Sequence, residues 1–411
     1  MKRSPKIHQV LATLGYGDAI GHEVLGIQRV LKRAGFESEI FVQTADTRLE
    51  DLTRDYRDLL EASDPSNILI HHFSIGSRAS RIAYAVPDRQ ILVYHNITPP
   101  HFFIDVHEQL AEECFKGRRE LGIYPARVDL ALGDSEFNRQ ELESLGFNPT
   151  GVLPVVPDFS HLDLEPNDLI AGQLDDEMTN ILFVGRIIPN KRIEDVIRYF
   201  HAYQRNFNPR SRLIFAGAYT GYEKYLAMLH ELIADLGTSR VQFAGHVTDA
   251  ELAAYYDIAD LFLCASAHEG FCVPIVEAFY KQVPVVAYAA TAVPATMDGA
   301  GVLFTTTAPL EVAAIVDAVL SDEAVYDAIV KRQDDAVARL RARDFDGTLL
   351  RFVDLVLSRP RRPAPPVAWD FWDQFRLAEQ LYELQQYRPA IYRGLPTDDG
   401  KPAAPSREQG L

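Results

Sequence analysis

A chain of 411 residues exceeds one ordinary core and points to two domains plus a tail. With 47% hydrophobic and 24% charged residues it has a globular composition, and no apolar run nears the roughly 20 residues of a membrane helix. A formal net charge of −17 disfavours nucleic acid as a partner, and the three cysteines, Cys114, Cys264 and Cys272, form neither a disulfide framework nor a cysteine zinc site.

In chain order, His8–Leu14 reads as a strand, a glycine-rich turn follows, and a helix runs from about His22 to Ala34. Further strands are expected at Ser38–Gln43, Ile68–His72, Gln90–His95, Val128–Gly133 and Gly151–Val156, with a helix through Glu141. Buried strands alternating with helices imply a parallel sheet covered on both faces. Residues 1–158 thus form a first Rossmann-like domain, and the acidic, turn-rich stretch 159–178 reads as a linker.

The alternation restarts with strands at Asn180–Val184, Arg212–Ala216, Val241–Ala244, Leu261–Cys264, Pro284–Tyr288 and Gly301–Phe304. Helices are expected at Ile193–Arg205, Tyr222–Leu236, Asp249–Tyr256 and Pro274–Tyr280, with more helix to about Leu357, so 179–357 forms a second domain of the same α/β class. Within 366–390, Trp369–Tyr387 has aromatic and leucine residues on one helical face; residues 394–411 have the composition of a disordered tail. The opening residues lack a signal-peptide pattern, so a cytoplasmic location is expected. The closing helix either packs on the first domain or, with Arg359, Arg361 and Arg362 beside it, contacts a partner or the inner membrane face peripherally.

Ligands of doubly wound sheets sit at the carboxyl ends of the strands, so the loops there carry the chemistry. After Leu261–Cys264 comes His268-Glu269-Gly270-Phe271-Cys272-Val273-Pro274-Ile275-Val276-Glu277. Pro274 suits a first helical turn, and the backbone donors of Phe271 to Val273 would face an anion. Glu269 and Glu277 can accept hydrogen bonds from diols, or simply make an acidic helix start favoured by the dipole. After Asn180–Val184 comes Gly185-Arg186-Ile187-Ile188-Pro189-Asn190-Lys191, in which a guanidinium and an ammonium flank one turn; they are either phosphate ligands or solvated cations.

These two segments together resemble the family 4 glycosyltransferases. The resemblance covers about the first 355 residues, most specifically in the second half, and implies a GT-B fold: two Rossmann-like domains facing a catalytic cleft. It implies a retaining, metal-independent hexosyltransferase with a GDP- or UDP-linked sugar as co-substrate and no other cofactor, acting on a saccharide, lipid-linked or small-molecule acceptor as in polysaccharide synthesis. By the same resemblance Arg186 and Lys191, with Gly185, clamp the diphosphate, Glu269 sits by the transferred sugar and Glu277 takes the ribose. The turn Gly270-Phe271-Cys272-Val273 closes on the donor, and His246-Val247 holds the base.

Between the first strand and first helix, Gly15-Tyr16-Gly17-Asp18-Ala19-Ile20-Gly21 departs from a dinucleotide fingerprint because its third glycine falls one residue late. The resemblance makes Gly17, Asp18 and Gly21 donor- or acceptor-side residues, and His95 the histidine that contacts the donor sugar, though a histidine ending a strand is often structural. His71 and His72 are weaker alternatives, and Ser135 reads as a helix cap. Competing readings are a non-catalytic sugar- or partner-binding subunit, an epimerase or phosphorylase, and a nicotinamide enzyme resting on the first glycine loop alone.

Overall fold

The structure is a computed structural model that describes residues 5–363, except 156 and 175, together with residue 372. The first domain runs β1 (Ile7–Leu14), α1 (Ala19–Arg33), β2 (Ile40–Ala45), β3 (Thr53–Asp55), α2 (Leu59–Ala62), β4 (Ile68–Phe73), α3 (Arg78–Ala85), β5 (Arg89–Tyr94), α4 (Glu108–Leu121), β6 (Leu130–Gly133), α5 (Glu136–Ser144) and β7 (Thr150–Val152). All seven strands are parallel, in the order β3-β2-β1-β4-β5-β6-β7. Every residue of β4 and β5 is buried, which is why neither segment alternates between apolar and polar, and their His71, His72, Arg89 and Gln90 are buried with the rest.

A short helix, α6 (Asp168–Leu174), leads into the second domain: β8 (Thr179–Val184), α7 (Ile193–Asn206), β9 (Ser211–Ala216), α8 (Glu223–Leu236), β10 (Val241–Gly245), α9 (Asp249–Asp257), β11 (Leu261–Cys264), α10 (Val273–Tyr280), β12 (Val285–Tyr288), α11 (Val293–Met297), β13 (Val302–Phe304), α12 (Pro309–Ser321), α13 (Glu323–Arg341) and α14 (Phe345–Ser358). Its six parallel strands have the order β10-β9-β8-β11-β12-β13. The two Rossmann-like domains expected from the sequence are both present. In each sheet the order reverses beside a central strand, between β1 and β4 and between β8 and β11, so loops leaving those pairs diverge and open a crevice. The register Leu261↔Ile181 and Phe262↔Leu182 brings the ends of β8 and β11 level.

The helix α14 departs from the expected domain boundary. Asp344 caps it through the Gly347 amide (2.9 Å), and its buried Leu349, Val353 and Val356 join the core of the first domain with Ile7, Val30, Ile91 and Leu130. Burying each such side chain is worth about 1.5–3 kcal/mol, so the second domain's chain is firmly returned to the first. Beyond it, Arg362 donates to the carbonyls of Val128 (3.2 Å) and Asn148 (2.6 Å), and Arg361 to that of Pro87 (2.5 Å). These arginines therefore hold first-domain backbone. The helix expected over Trp369–Tyr387 lies outside the described residues.

Candidate active site at the carboxyl edges of the two sheets

Within 5–363 the carboxyl edges of the two sheets meet. Asn96, just past β5, accepts a 2.7 Å hydrogen bond at Oδ1 from His268 Nε2 in the loop after β11, and its Nδ2 donates to Asn138 (2.9 Å). Asn96 is held at φ 68°, where a short polar side chain is tolerated. Gly270 comes so close that a Cβ would lie 3.0 Å from the Asn96 Cβ and 3.3 Å from the His95 carbonyl oxygen. Any larger residue there would crowd first-domain atoms, which would have to give by a few tenths of an ångström.

On the second domain, Lys191 and Glu269 form an ion pair between the two loops that leave the switch point, with side chains 15% and 9% exposed. Burial alone would lower the Lys191 pKa, but the adjoining Glu269 carboxylate raises it, so the ammonium stays charged. Asn190 Nδ2 donates to the His268 carbonyl (3.1 Å), tying the two loops together, and the Glu269 amide donates to Thr291 Oγ1 (2.9 Å) in the loop after β12. Gly185 ends β8. Beneath it Gly217 has no room for a side chain, since a Cβ would lie 2.0 Å from the Gly185 carbonyl oxygen. Arg186 is exposed, has no carboxylate partner among the described residues, and lies in electrostatic range of Cys114 on α4 and of Tyr222.

Cys272, at φ 76°, turns the chain into α10, whose first residue is Val273. The Phe271 carbonyl is held by Thr296, and the amides of Gly270, Phe271 and Cys272 make no hydrogen bond among the described residues. A helix start with free amides favours an anion. Glu277 lies on the same helix. Its Oε2 accepts from Tyr256 (3.0 Å) and its Oε1 from His161 Nε2 (3.1 Å). A carboxylate has about four acceptor positions, so roughly two remain. His161 sits in the segment read as linker. Its Nδ1 faces the Asp158 carbonyl (2.9 Å), so both ring nitrogens meet acceptors, an arrangement that favours the protonated ring. Hydrogen bonding to Glu277 accordingly raises its pKa.

His246 is exposed after β10, and Val247 packs against the second-domain core before the Thr248–Glu251 capping box of α9. In the first domain, Asp18 caps α1 by accepting from the Gly21 amide (2.5 Å), and Gly17 adopts φ 75° in an exposed turn. Asp18 thus has a local structural task, which Ser135 performs likewise for α5.

His95 is where sequence reasoning and structure part. Its ring is buried with both nitrogens engaged: Nδ1 lies 3.0 Å from Asp134 Oδ2 and Nε2 lies 2.9 Å from His72 Nδ1. The reason is register: β5 and β6 pair Tyr94 with Gly133, so the next residues, His95 and Asp134, emerge side by side. Beyond it, His72 Nε2 lies 2.9 Å from Gln9 Oε1, and Gln9 Nε2 donates to the Val24 carbonyl, which fixes the amide orientation. Gln9 therefore accepts from His72. Burial keeps His72 neutral, so it accepts from His95 Nε2. Burial would lower the His95 pKa, but Asp134 first and Glu23 second raise it to about 9. Glu23, on α1, is raised to about 8 by burial and then Asp134, with His95 opposing. Glu23, His161, Asn96, Gly217 and His268 were not singled out as site residues by sequence reasoning; only the strand-end position of Gly217 and the neighbour relation of His268 to Glu269 carried a signal.

Comparison with known proteins agrees with this geometry. Residues 167–335 match the family model described as glycosyl transferases group 1. The chain is 29% identical over 148 residues to the serotype-specific mannosyltransferase WbdA of Escherichia coli, covering 36% of this chain and 18% of that protein. It is 32% identical over 124 residues to the O-antigen chain mannosyltransferase B of Escherichia coli, covering 30% and 32%. The chain thus spans well under half the length of these curated relatives. Among solved structures, Anabaena Alr3699/HepE in complex with UDP-glucose superposes with a TM-score of 0.66 at 18% identity, covering 86% of this chain and 99% of that one. Sucrose-phosphate synthase (tll1590) from Thermosynechococcus elongatus gives 0.65 at 16% identity over 85% and 98%. At such identities the likeness establishes the fold, which is GT-B. No described helix is long and apolar enough to cross a membrane.

Proposed function

We propose that the protein is a retaining glycosyltransferase that moves a hexose from a nucleoside diphosphate donor to a saccharide or lipid-linked acceptor without a metal at the diphosphate. The observation that carries this reading is the buried Lys191–Glu269 pair at the switch point of the group 1 domain, pressed against the first domain through Gly270 and His268. Exposed Arg186 and the free amides at the start of α10 complete a cationic surface for a departing diphosphate. Fixed donors of this kind stabilise charge developing in the transition state without reorganising. Glu277, with acceptor capacity to spare, takes the ribose diol. The sugar lies toward Glu269, where an oxocarbenium-like centre gains from a nearby carboxylate. The acceptor enters on the first-domain side, and its proton passes to an oxygen of the leaving diphosphate. Mannosyltransferase relatives and a UDP-glucose-bound structural neighbour make mannose- and glucose-type donors the first to test.

The test is nucleotide-dependent stabilisation of the full chain by UDP, GDP and their hexose conjugates, with and without EDTA, followed by anomeric analysis of the product. Stabilisation by one nucleoside diphosphate that is indifferent to EDTA and lost in Glu277→Ala, with an axial donor linkage retained, is the expected result. No response to any nucleoside diphosphate refutes the assignment and favours a non-catalytic binding role; inversion, or a requirement for added Mg²⁺ or Mn²⁺, refutes the mechanism.

A further inference from the structure

Glu23, His95 and Asp134 converge from α1 and from the ends of β5 and β6, and their ligand-type atoms all lie within 4.8 Å of one another. His95 Nδ1 is 3.0 Å from Asp134 Oδ2 and 3.8 Å from Glu23 Oε2. Those separations straddle the roughly 3.3 Å between ligands that each stand about 2.0–2.1 Å from a tetrahedral ion. The three side chains are 8%, 1% and 10% exposed in the order Glu23, His95, Asp134. Glu23 Oε1 and Asp134 Oδ1 are fully enclosed and have no hydrogen-bond partner among the described residues. Buried carboxylate oxygens without partners are costly, so one such oxygen on each of two carboxylates whose other oxygens lie 3.0 and 3.8 Å from a single imidazole nitrogen needs explaining.

We propose that these residues form a binding site for a first-row divalent cation of the zinc type, distinct from the Arg186–Lys191 clamp and independent of the glycosyl-transfer reading. Three features support it. One imidazole with two carboxylates is a donor set suited to zinc-like ions over magnesium. Once their protons are displaced, two carboxylates and a neutral imidazole carry a charge of −2, which a divalent cation balances. Above all, the relay Gln9–His72–His95 holds the proton on His95 Nε2 and so turns Nδ1 toward the carboxylates. Metal-binding histidines are oriented in this way, by donating the far N–H to a fixed acceptor. On binding, the ion takes the Nδ1 lone pair and a Glu23 oxygen, the proton that Nδ1 shares with Asp134 and the proton that burial keeps on Glu23 both leave to solvent, and a water fills the fourth position. The ion would then tie α1 to the ends of β5 and β6, beside the cleft.

The experiment uses the full chain, freed of metal with a chelator and desalted, then titrated with Zn²⁺ alone by calorimetry and with Co²⁺ by visible absorption. We expect one strong equivalent per chain, a cobalt spectrum of low-coordinate nitrogen–oxygen type, and a rise in melting temperature. Glu23→Gln and Asp134→Asn should each weaken binding at least 100-fold. Gln9→Leu, which touches no ligand, should weaken it about 10–100-fold through the relay. His161→Gln, on the second domain, should leave it unchanged. Glu23→Gln makes a replacement at an oxygen without a partner, so it remains informative if Asp134→Asn does not fold. Absence of a stoichiometric site, or wild-type affinity in Glu23→Gln, overturns the proposal whatever the nucleotide screen returns.

Discussion

Replacing Lys191 by methionine separates stability from chemistry at the centre of the site. The substitution leaves Glu269, 9% exposed, without the ammonium that neutralises it. Breaking a buried pair from one side costs about 3–5 kcal/mol, because the remaining charge is left desolvated. For a domain of this size each kcal/mol moves the melting temperature by about 2–4 °C, so a fall of about 6–20 °C is expected. The double variant Lys191→Met, Glu269→Met removes both charges and keeps the volume, and such replacements are close to neutral. Its melting temperature should return to near the wild-type value. Activity should not return: losing a preorganised donor at a developing anion costs about 10²–10³ in kcat. Thermal unfolding by circular dichroism, run beside transfer assays on the three proteins, reads both quantities. A Lys191→Met protein as stable as wild type, or a double variant as unstable as the single, refutes the argument from burial. A double variant with wild-type turnover refutes the clamp.

Gly217→Ala should be strongly destabilised, since its Cβ would lie 2.0 Å from the Gly185 carbonyl, whereas Gly172→Ala, on an exposed face of α6 with nothing within 4 Å, should gain about 0.5–1 kcal/mol; chemical unfolding compares them. Asn96→Ala removes the 2.7 Å bond to His268 and places alanine at φ 68°, so protease cleavage in the loop 265–272 and the donor KM should both rise, with far-ultraviolet dichroism unchanged. His161 has a folded pKa above its unfolded value, so its contribution is complete below about pH 6.5 and fades as pH rises through the folded value. The stability difference between wild type and His161→Gln should therefore shrink between pH 6 and 9, and a difference that grows over that range would contradict the imidazolium assignment.

The second-domain motifs were legible because β8 and β11 are short, largely apolar runs, the first followed directly by Gly185-Arg186 and the second within five residues by Glu269-Gly270, and because such strand ends carry sites in parallel sheets. The level register of those two strands then brings Lys191 to Glu269, a contact that spacing along the chain could not give. Periodicity showed that residues 345–358 are helical but not which core receives them, since Leu349, Val353 and Val356 would satisfy either domain. Helix α4 escaped notice because its 14 residues, EQLAEECFKGRREL, are dominated by charge and bury only a narrow stripe. His161 was hidden for a different reason: acidic turn composition marks a linker, yet a turn at Asp158–Leu162 is what lets a histidine reach Glu277.

His95 shows how far a single-residue reading extends. Its place at the end of β5 correctly puts it at the cleft edge of the sheet, but a side chain's task depends on what the adjacent strands present at the same level. Here β4 supplies His72 and the turn after β6 supplies Asp134, and these two claim both ring nitrogens. The Gln9 amide on β1, locked by the Val24 carbonyl on the neighbouring α1, decides which nitrogen keeps its proton. A histidine so constrained can influence the donor pocket only through its backbone carbonyl, against Gly270, and through the position it gives Asn96. If that is the route, Gln9→Leu should alter nucleotide-sugar KM through loop position while leaving the pH dependence of kcat unchanged. A change in the kcat profile would instead mean that the imidazole itself exchanges protons with the reacting groups, and the inward-facing geometry would have to open during turnover.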